Sequence, residues 1–204
     1  MDAVTGWHFA GKTLRDGRPL PRKGDTLKHD GDVVPCKSGL HASKRAIDAL
    51  QYFPGPMMAQ VRLSGTIVPH GNPVDKYAAS ERENLTDYVD ATRVLHEFAC
   101  WCATQALDRE EAAGRKVDPR SREAVRVKMA WLDGKATDKE LAAAKAAAGA
   151  AAGAAAWDAA GAAAWDAAWN AAWNAAWGAA WDDQNDELDR RLNELLDGRG
   201  REER

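Results

Sequence analysis

The segment from Thr137 to Gln184, TDKELAAAKAAAGAAAGAAAWDAAGAAAWDAAWNAAWNAAWGAAWDDQ, decides how the rest of the chain divides. From Leu141 it falls into four-residue units, LAAA KAAA GAAA GAAA WDAA GAAA WDAA WNAA WNAA WGAA WDDQ, with tryptophan recurring at the first position. Alanine has the highest intrinsic helix propensity, so the run tolerates internal glycines that cost about 1 kcal/mol each. Thr137 and Glu140 form a capping box, the hydroxyl accepting from the third amide while the glutamate reaches back. The stretch from about Thr137 to Asp197 is therefore predicted to be one long alanine-rich helix, roughly 90 Å long at 1.5 Å per residue.

A four-residue step turns such a helix through about 400°, so each tryptophan lies roughly 40° beyond the last. The row Trp157, Trp165, Trp169, Trp173, Trp177 and Trp181 winds through about 240°, more than one flat partner covers. Burying such a side chain is worth about 1.5–3 kcal/mol, so some partner surface is expected, a second copy or the chain's own N-terminal part. Gly149, Gly153 and Gly161 share the tryptophan register and would permit close backbone approach. Trp177, Trp181, Leu188, Leu192 and Leu195 fall within about 60° of one another, a seam that extends the expected interaction surface. Glu187 and Arg191 flank it as an i to i+4 pair. Replication slippage accounts for the origin of the repeat without removing the need to bury its indoles. A membrane span is not expected: the charge-free run is only about twelve residues and Asp158 and Asp166 interrupt it.

Composition changes abruptly near residue 135 of the 204, so the globular part is built from the first two thirds. The net charge of -3 gives no chain-wide attraction to nucleic acid or anionic lipid. Basic residues from Lys12 to Lys28 are diluted by Asp16, Asp25, Asp30 and Asp32 and read as a solvated loop. Three cysteines without an apolar leader imply a reduced, cytoplasmic setting. Cys100 and Cys102, two apart on a helix, do not face each other.

Within the first part, residues 5–12 read as a strand and the stretch to Asp32 as turns. Ser43 looks like the N-cap of a helix carrying Ala46, Ile47, Leu50 and Phe53, stopped by Pro54 and Gly55. MMAQVRLSG, 57–65, alternates Ala59, Val61 and Leu63 against Met58, Gln60 and Arg62 as a half-buried strand does. TIVPHGNPVDK continues extended or looped. From Thr86, Tyr88, Ala91, Leu95, Phe98 and Cys102 form one helical stripe that ends at Gly114. Asp118 and Pro119 then start a second helix, with Val125, Met129 and Leu132 on its stripe, and the two are expected to form an antiparallel hairpin. The fold class is thus α+β, with a small mixed head (1–85), a helical hairpin (86–134), the long tetrad helix (135–197) and a charged tail (198–204).

Residues that carry chemistry cluster in the head. His8, Cys36 and His41 lack a paired-cysteine spacing and a fourth ligand, so no metal is expected. Cys36 with His41 as base would need spatial adjacency that a spacing of five does not supply; a buried thiol and a histidine bonded at a turn are the simpler account. His29, His70 and His96 are expected to be exposed or structural.

The stretch from Gly24 to Gly65, with KHDGDVVPCKSGLHAS, a helix, Tyr52 and the strand AQVRLSG, resembles a small uncharacterised domain family of bacteriophages and bacterial mobile elements. That family's usual pattern has cysteine where Ser43 stands and an aromatic where Leu40 stands. The helical stretch from Cys100 through Asp118, Pro119 and Arg120 to Gly134 and the tetrads is similar to the helical part of bacterial immunity proteins and related phage proteins. These resemblances imply an interaction protein with a protein partner or self-association, without nucleic acid, membrane or cofactor, in the host cytoplasm if phage-encoded. A further likeness, to the ADP-ribosyltransferase fold, rests on the order of His8, the GLHAS turn with Ser43, the helix ending in Tyr52, and the AQVRL strand. It implies an NAD-using enzyme in which His8 and Ser43 orient NAD and a glutamate, Glu97 or Glu83, steadies the ribose.

Overall fold

The structure, a computed structural model, describes residues 2–52, 54–162 and 167–202, with side chains described for 2–52, 54–150 and 181–198. It forms two compact units, Met1–Val94 with Asp183–Arg204, and Leu95–Asp182. Sheet and helix are both present, as the α+β expectation has it.

The first unit is built on β1 (Val4–Ala10), β2 (Thr26–Lys28), β3 (Leu40–Ala42), α1 (Ala46–Leu50), β4 (Met57–His70), β5 (Lys76–Asn84) and β6 (Val89–Asp90). The antiparallel sheet runs β1-β4-β5-β2, with β3 also pairing β5 and β6 pairing β4. A bulge between Ser64 and Ile67, with Gly65 at φ 73°, bends β4 so that its two halves follow different parts of β5. The sheet curls until β1 meets the end of β3: Trp7 N donates to Ser43 O at 2.8 Å and Ser43 N to Trp7 O at 3.1 Å. Val4, Ala42, Ala59, Val61, Leu63 and Ala79 form the core. Ala59, Val61 and Leu63 are fully covered, as their alternation predicts, but so is Met58, because both faces of β4 are packed.

Gly6 lies at the closure, where a Cβ would stand 2.3 Å from Ser43 O. Gly6→Ala is expected to pry β1 from Ser43 and cost about 1–3 kcal/mol, measured as the shift in urea midpoint. An unchanged midpoint would show that the closure bears no load.

Ser43 is therefore not a helix cap. It is committed to the β1 bridge, α1 begins at Ala46, and Arg45 at its N-cap makes no side-chain cap bond. The first amides of α1, which lack partners within the helix, are met from far along the chain: Asp189 Oδ1 accepts from Ala46 N at 3.3 Å and Asn185 Oδ1 from Ile47 N at 3.4 Å. Both belong to the last helix, α5 (Ala167–Glu202), whose end lies on the head. Gln60 Nε2 donates to Asn193 Oδ1 at 2.8 Å, and Leu188 and Leu192 are fully buried. Leu195 is half-buried. The expected charged tail at 198–204 is corrected: helix continues to Glu202, since arginine and glutamate are good helix formers. Phe53 lies outside the described residues.

The second unit holds α2 (Thr92–Ala112), which starts in the first unit, α3 (Pro119–Leu132) and α4 (Asp138–Ala162). The expected helix start at Thr86 is too early: Val89 and Asp90 pair with β4, and Tyr88 and Ala91 belong to the head's packing, not to a helical stripe. α2 and α3 run antiparallel, His96 meeting Trp131 edge-on while Arg122 pairs with Asp108 and Glu111 near the other end. α3 packs most closely on α4. Both sequence-derived caps form: Asp118 accepts from Arg120 N, and Thr137 with Glu140 makes the reciprocal box. Of the tetrad segment, α4 and α5 are described; residues 163–166, Trp165 among them, and the side chains of Trp157, Trp169, Trp173 and Trp177 lie outside the described residues. A Cβ at Gly149 would meet nothing within 4 Å, so no close approach within the described chain accounts for that glycine. Trp181 is half-buried.

Candidate functional site

β1, β3, α1 and β5 border a cleft of about 790 Å³ in the head, a volume suited to a small molecule. His8, His41, Ser43, Tyr52, Lys76 and Arg82 line it, with Cys36, Arg15, Arg18 and Lys37. Asp16 is the carboxylate among these lining residues, and the Arg18 side chain takes it up at 2.7 Å.

Strand alternation places Arg82. Its neighbours Glu81 and Glu83 turn the other way, to Lys28 and to Arg62, each at 3.1 Å. Arg82 turns inward opposite Leu63 and is 3% exposed. Its Nη1 donates to the His41 carbonyl at 3.1 Å, while its Nε has no partner. Among the described residues no carboxylate pairs with it. Burial pulls its pKa down from the usual value, but a guanidinium stays charged at neutral pH. Lys76, on the same strand, is 6% exposed and sits over the Tyr52 ring at 3.4 Å.

This positive lining governs the histidines. Burial first, then Arg82 and His41, hold His8 well below the ordinary histidine value. Tyr88, which burial keeps protonated, is hydrogen-bonded through its hydroxyl to His8 Nδ1 at 2.5 Å. His41 is pushed down to about 4 by burial, Lys76 and Arg82, and its Nε2 accepts from the Cys36 amide at 3.3 Å. Because His41 resists protonation when folded, its contribution to stability is complete above pH 6.5 and is lost as pH falls toward 4. The urea midpoint is expected to drop across that window in the wild type and less steeply in His41→Gln. Parallel slopes in the two proteins would exclude this coupling.

His8, Ser43 and Tyr52 thus all line the cleft, although the bridge that holds Ser43 joins it to Trp7, the neighbour of His8. The glutamates named with them do not. Glu97 is carried by α2 and is not among the lining residues, and Glu83 turns out of the sheet to Arg62. Cys36 meets His41 through its backbone amide only; its sulfur faces His70 at 3.5 Å and Lys76 at 3.2 Å. Among the described residues no three of His, Cys, Asp and Glu converge as metal ligands, and no helix is long and apolar enough to cross a membrane.

Lys76 and Arg82 escaped the sequence reading, which placed Tyr88 on a helical stripe and took His70 as exposed or structural. The signal was KYAASEREN, 76–84, a strand whose buried residues are Lys76, Ala78, Ala79, Arg82 and Asn84. No family model, curated protein or solved structure matches this chain.

Proposed function

We propose that the head is a receptor for a small anionic ligand, and that the chain as a whole is an interaction protein of the phage or mobile-element type. The observation that carries the first part is Arg82, a buried cation with an open Nε and no carboxylate partner among the described residues, on a cleft whose other cations are Arg15, Arg18, Lys37 and Lys76. An unpaired buried charge costs several kcal/mol, and a ligand anion is the group that offsets it. Phosphate-bearing compounds suit this lining, since guanidinium presents paired donors to such oxygens. The second part rests on the tetrad tryptophans, whose burial calls for a protein surface.

The test is thermal unfolding with inorganic phosphate, pyrophosphate, ATP and NAD against neutral adenosine. A ligand that binds only the folded state raises the midpoint with concentration, by about 2.7 kcal/mol at a hundredfold excess over Kd. Stabilisation by adenosine equal to that by the anions would remove the charge-based reading. For assembly, Trp177→Ala with Trp181→Ala should lower the light-scattering mass.

NAD is one such ligand, on the likeness to the ADP-ribosyltransferase fold and the presence of His8, Ser43 and Tyr52 on the lining. Cleavage at its ribose would call for a free carboxylate to steady the cation, and the lining carboxylate is held by Arg18. The expected outcome is that NAD is bound and no nicotinamide is released.

A further inference from the structure

Cys36 is an exposed thiol in the turn closed by Val34 and Ser38, and its backbone holds φ 65°, a conformation rare outside glycine. Two groups reach its sulfur. Lys76 Nζ donates to Sγ at 3.2 Å, and His70 Nε2 stands 3.5 Å away. His70 and Lys76 are direct cross-strand partners of β4 and β5, so the sheet register aims both at one point. Their polarities complement each other: sulfur accepts from the ammonium while its own hydrogen faces a ring nitrogen. Tyr52 supports the lysine from below and is itself anchored, its hydroxyl donating to Asp75 Oδ2 at 2.6 Å.

A second, independent feature points to a ligand beside this thiol. Arg82 lines the same cleft, 3% exposed and with Nε open. His41 ties the two together, its carbonyl accepting from Arg82 and its Nε2 from the Cys36 amide.

We propose that Cys36 is the covalent acceptor of the cleft, its sulfur attacking an electrophilic carbon of a carboxylate- or phosphate-bearing ligand whose anion Arg82 holds. This rests on the anion-receptor reading and adds a reaction to it. As the S–C bond forms, the bond from that carbon to its leaving group breaks, and the leaving group departs with the electron pair. The thiol proton passes to His70 Nε2. Lys76 is a positioning residue: it holds the sulfur beside the imidazole and adds positive charge where an anionic reagent approaches.

The experiment compares iodoacetate with iodoacetamide on the full chain, with modification at Cys36 mapped by peptide mass spectrometry. In either case sulfur bonds the methylene carbon and iodide leaves. The cleft should favour the anionic reagent at Cys36 by about tenfold relative to the ratio shown by free cysteine, a gain of about 1.4 kcal/mol. Inorganic phosphate should slow iodoacetate at Cys36, and Arg82→Met should abolish the preference while iodoacetamide still reacts. Protection by phosphate is read on the wild-type protein, so the test survives a poorly folding variant. A ratio equal to that of free cysteine overturns the covalent role. If phosphate stabilises the fold yet the ratio is unchanged, the receptor stands and the acceptor falls. If phosphate neither stabilises nor protects, both fall.

Discussion

Arg82→Met is expected to make the unliganded protein more stable and to leave it unable to bind anions. The guanidinium is 3% exposed and has no carboxylate partner among the described residues, so the free head carries a desolvated charge. Replacing buried ionic groups by packed apolar ones commonly stabilises by about 1–4 kcal/mol. Methionine retains most of the side-chain stem, and the donor lost by the His41 carbonyl takes back about 1 kcal/mol. The net gain should appear as a rise in melting temperature of about 2–4 °C per kcal/mol. Anion affinity should fall by about 2–5 kcal/mol, at least thirtyfold, because the variant removes the cation that the ligand neutralises. Calorimetric titration with pyrophosphate reads the second effect and differential scanning calorimetry the first. A variant that is less stable and still binds would mean that Arg82 is held by the fold for its packing alone.

Truncating the apolar seam of α5 should come close to unfolding the head. Leu188 and Leu192 are fully covered, and each change to alanine in such a site costs about 2–5 kcal/mol. Domain stabilities are only about 5–15 kcal/mol, so Leu188→Ala with Leu192→Ala removes much of the total. Leu195→Ala, at a half-buried position, should cost less. Urea unfolding followed by circular dichroism ranks the three. The structure also bears on any shortened protein: a chain cut at Gly134 loses Asn185, Asp189 and Asn193, and with them the caps of α1 and the bond to Gln60. Such a fragment should lose cooperative unfolding. A sharp transition at the wild-type midpoint would show that α5 adds nothing to the head.

What the sequence disclosed follows from where apolar periodicity and local hydrogen bonding dominate. The strand at Ala59, Val61 and Leu63, the Asp118 cap and the Thr137 box are local patterns, and each occurs as expected. β5 stayed hidden because its buried side chains mix Lys76, Arg82 and Asn84 with the adjacent pair Ala78 and Ala79, so alternation of apolar with polar residues could not mark it. The strand that supplies the site's cations was illegible for the same reason that it is interesting. His8 and Ser43 could be suspected from their order, whereas Tyr88 was absorbed into a helical stripe that the β6 pairing interrupts. The role of Leu188 and Leu192 was half visible: the seam was evident and the chain's own N-terminal part was one of its two expected covers, but the choice between that and a second copy was not, since a contact across more than a hundred residues leaves no local trace.

That long tie has a consequence for how the protein is made. The amides of α1 at Ala46 and Ile47 wait for acceptors at Asp189 and Asn185, which are made 143 and 138 residues later in the chain. The residues of the head's sheet therefore emerge well before the helix that caps α1, with the Ala/Trp tetrads made in between. Contacts of such sequence separation form late and slowly. Completion of the head waits for α5, and an aborted chain lacking Asn185 and Asp189 would be a substrate for quality control and not a working receptor.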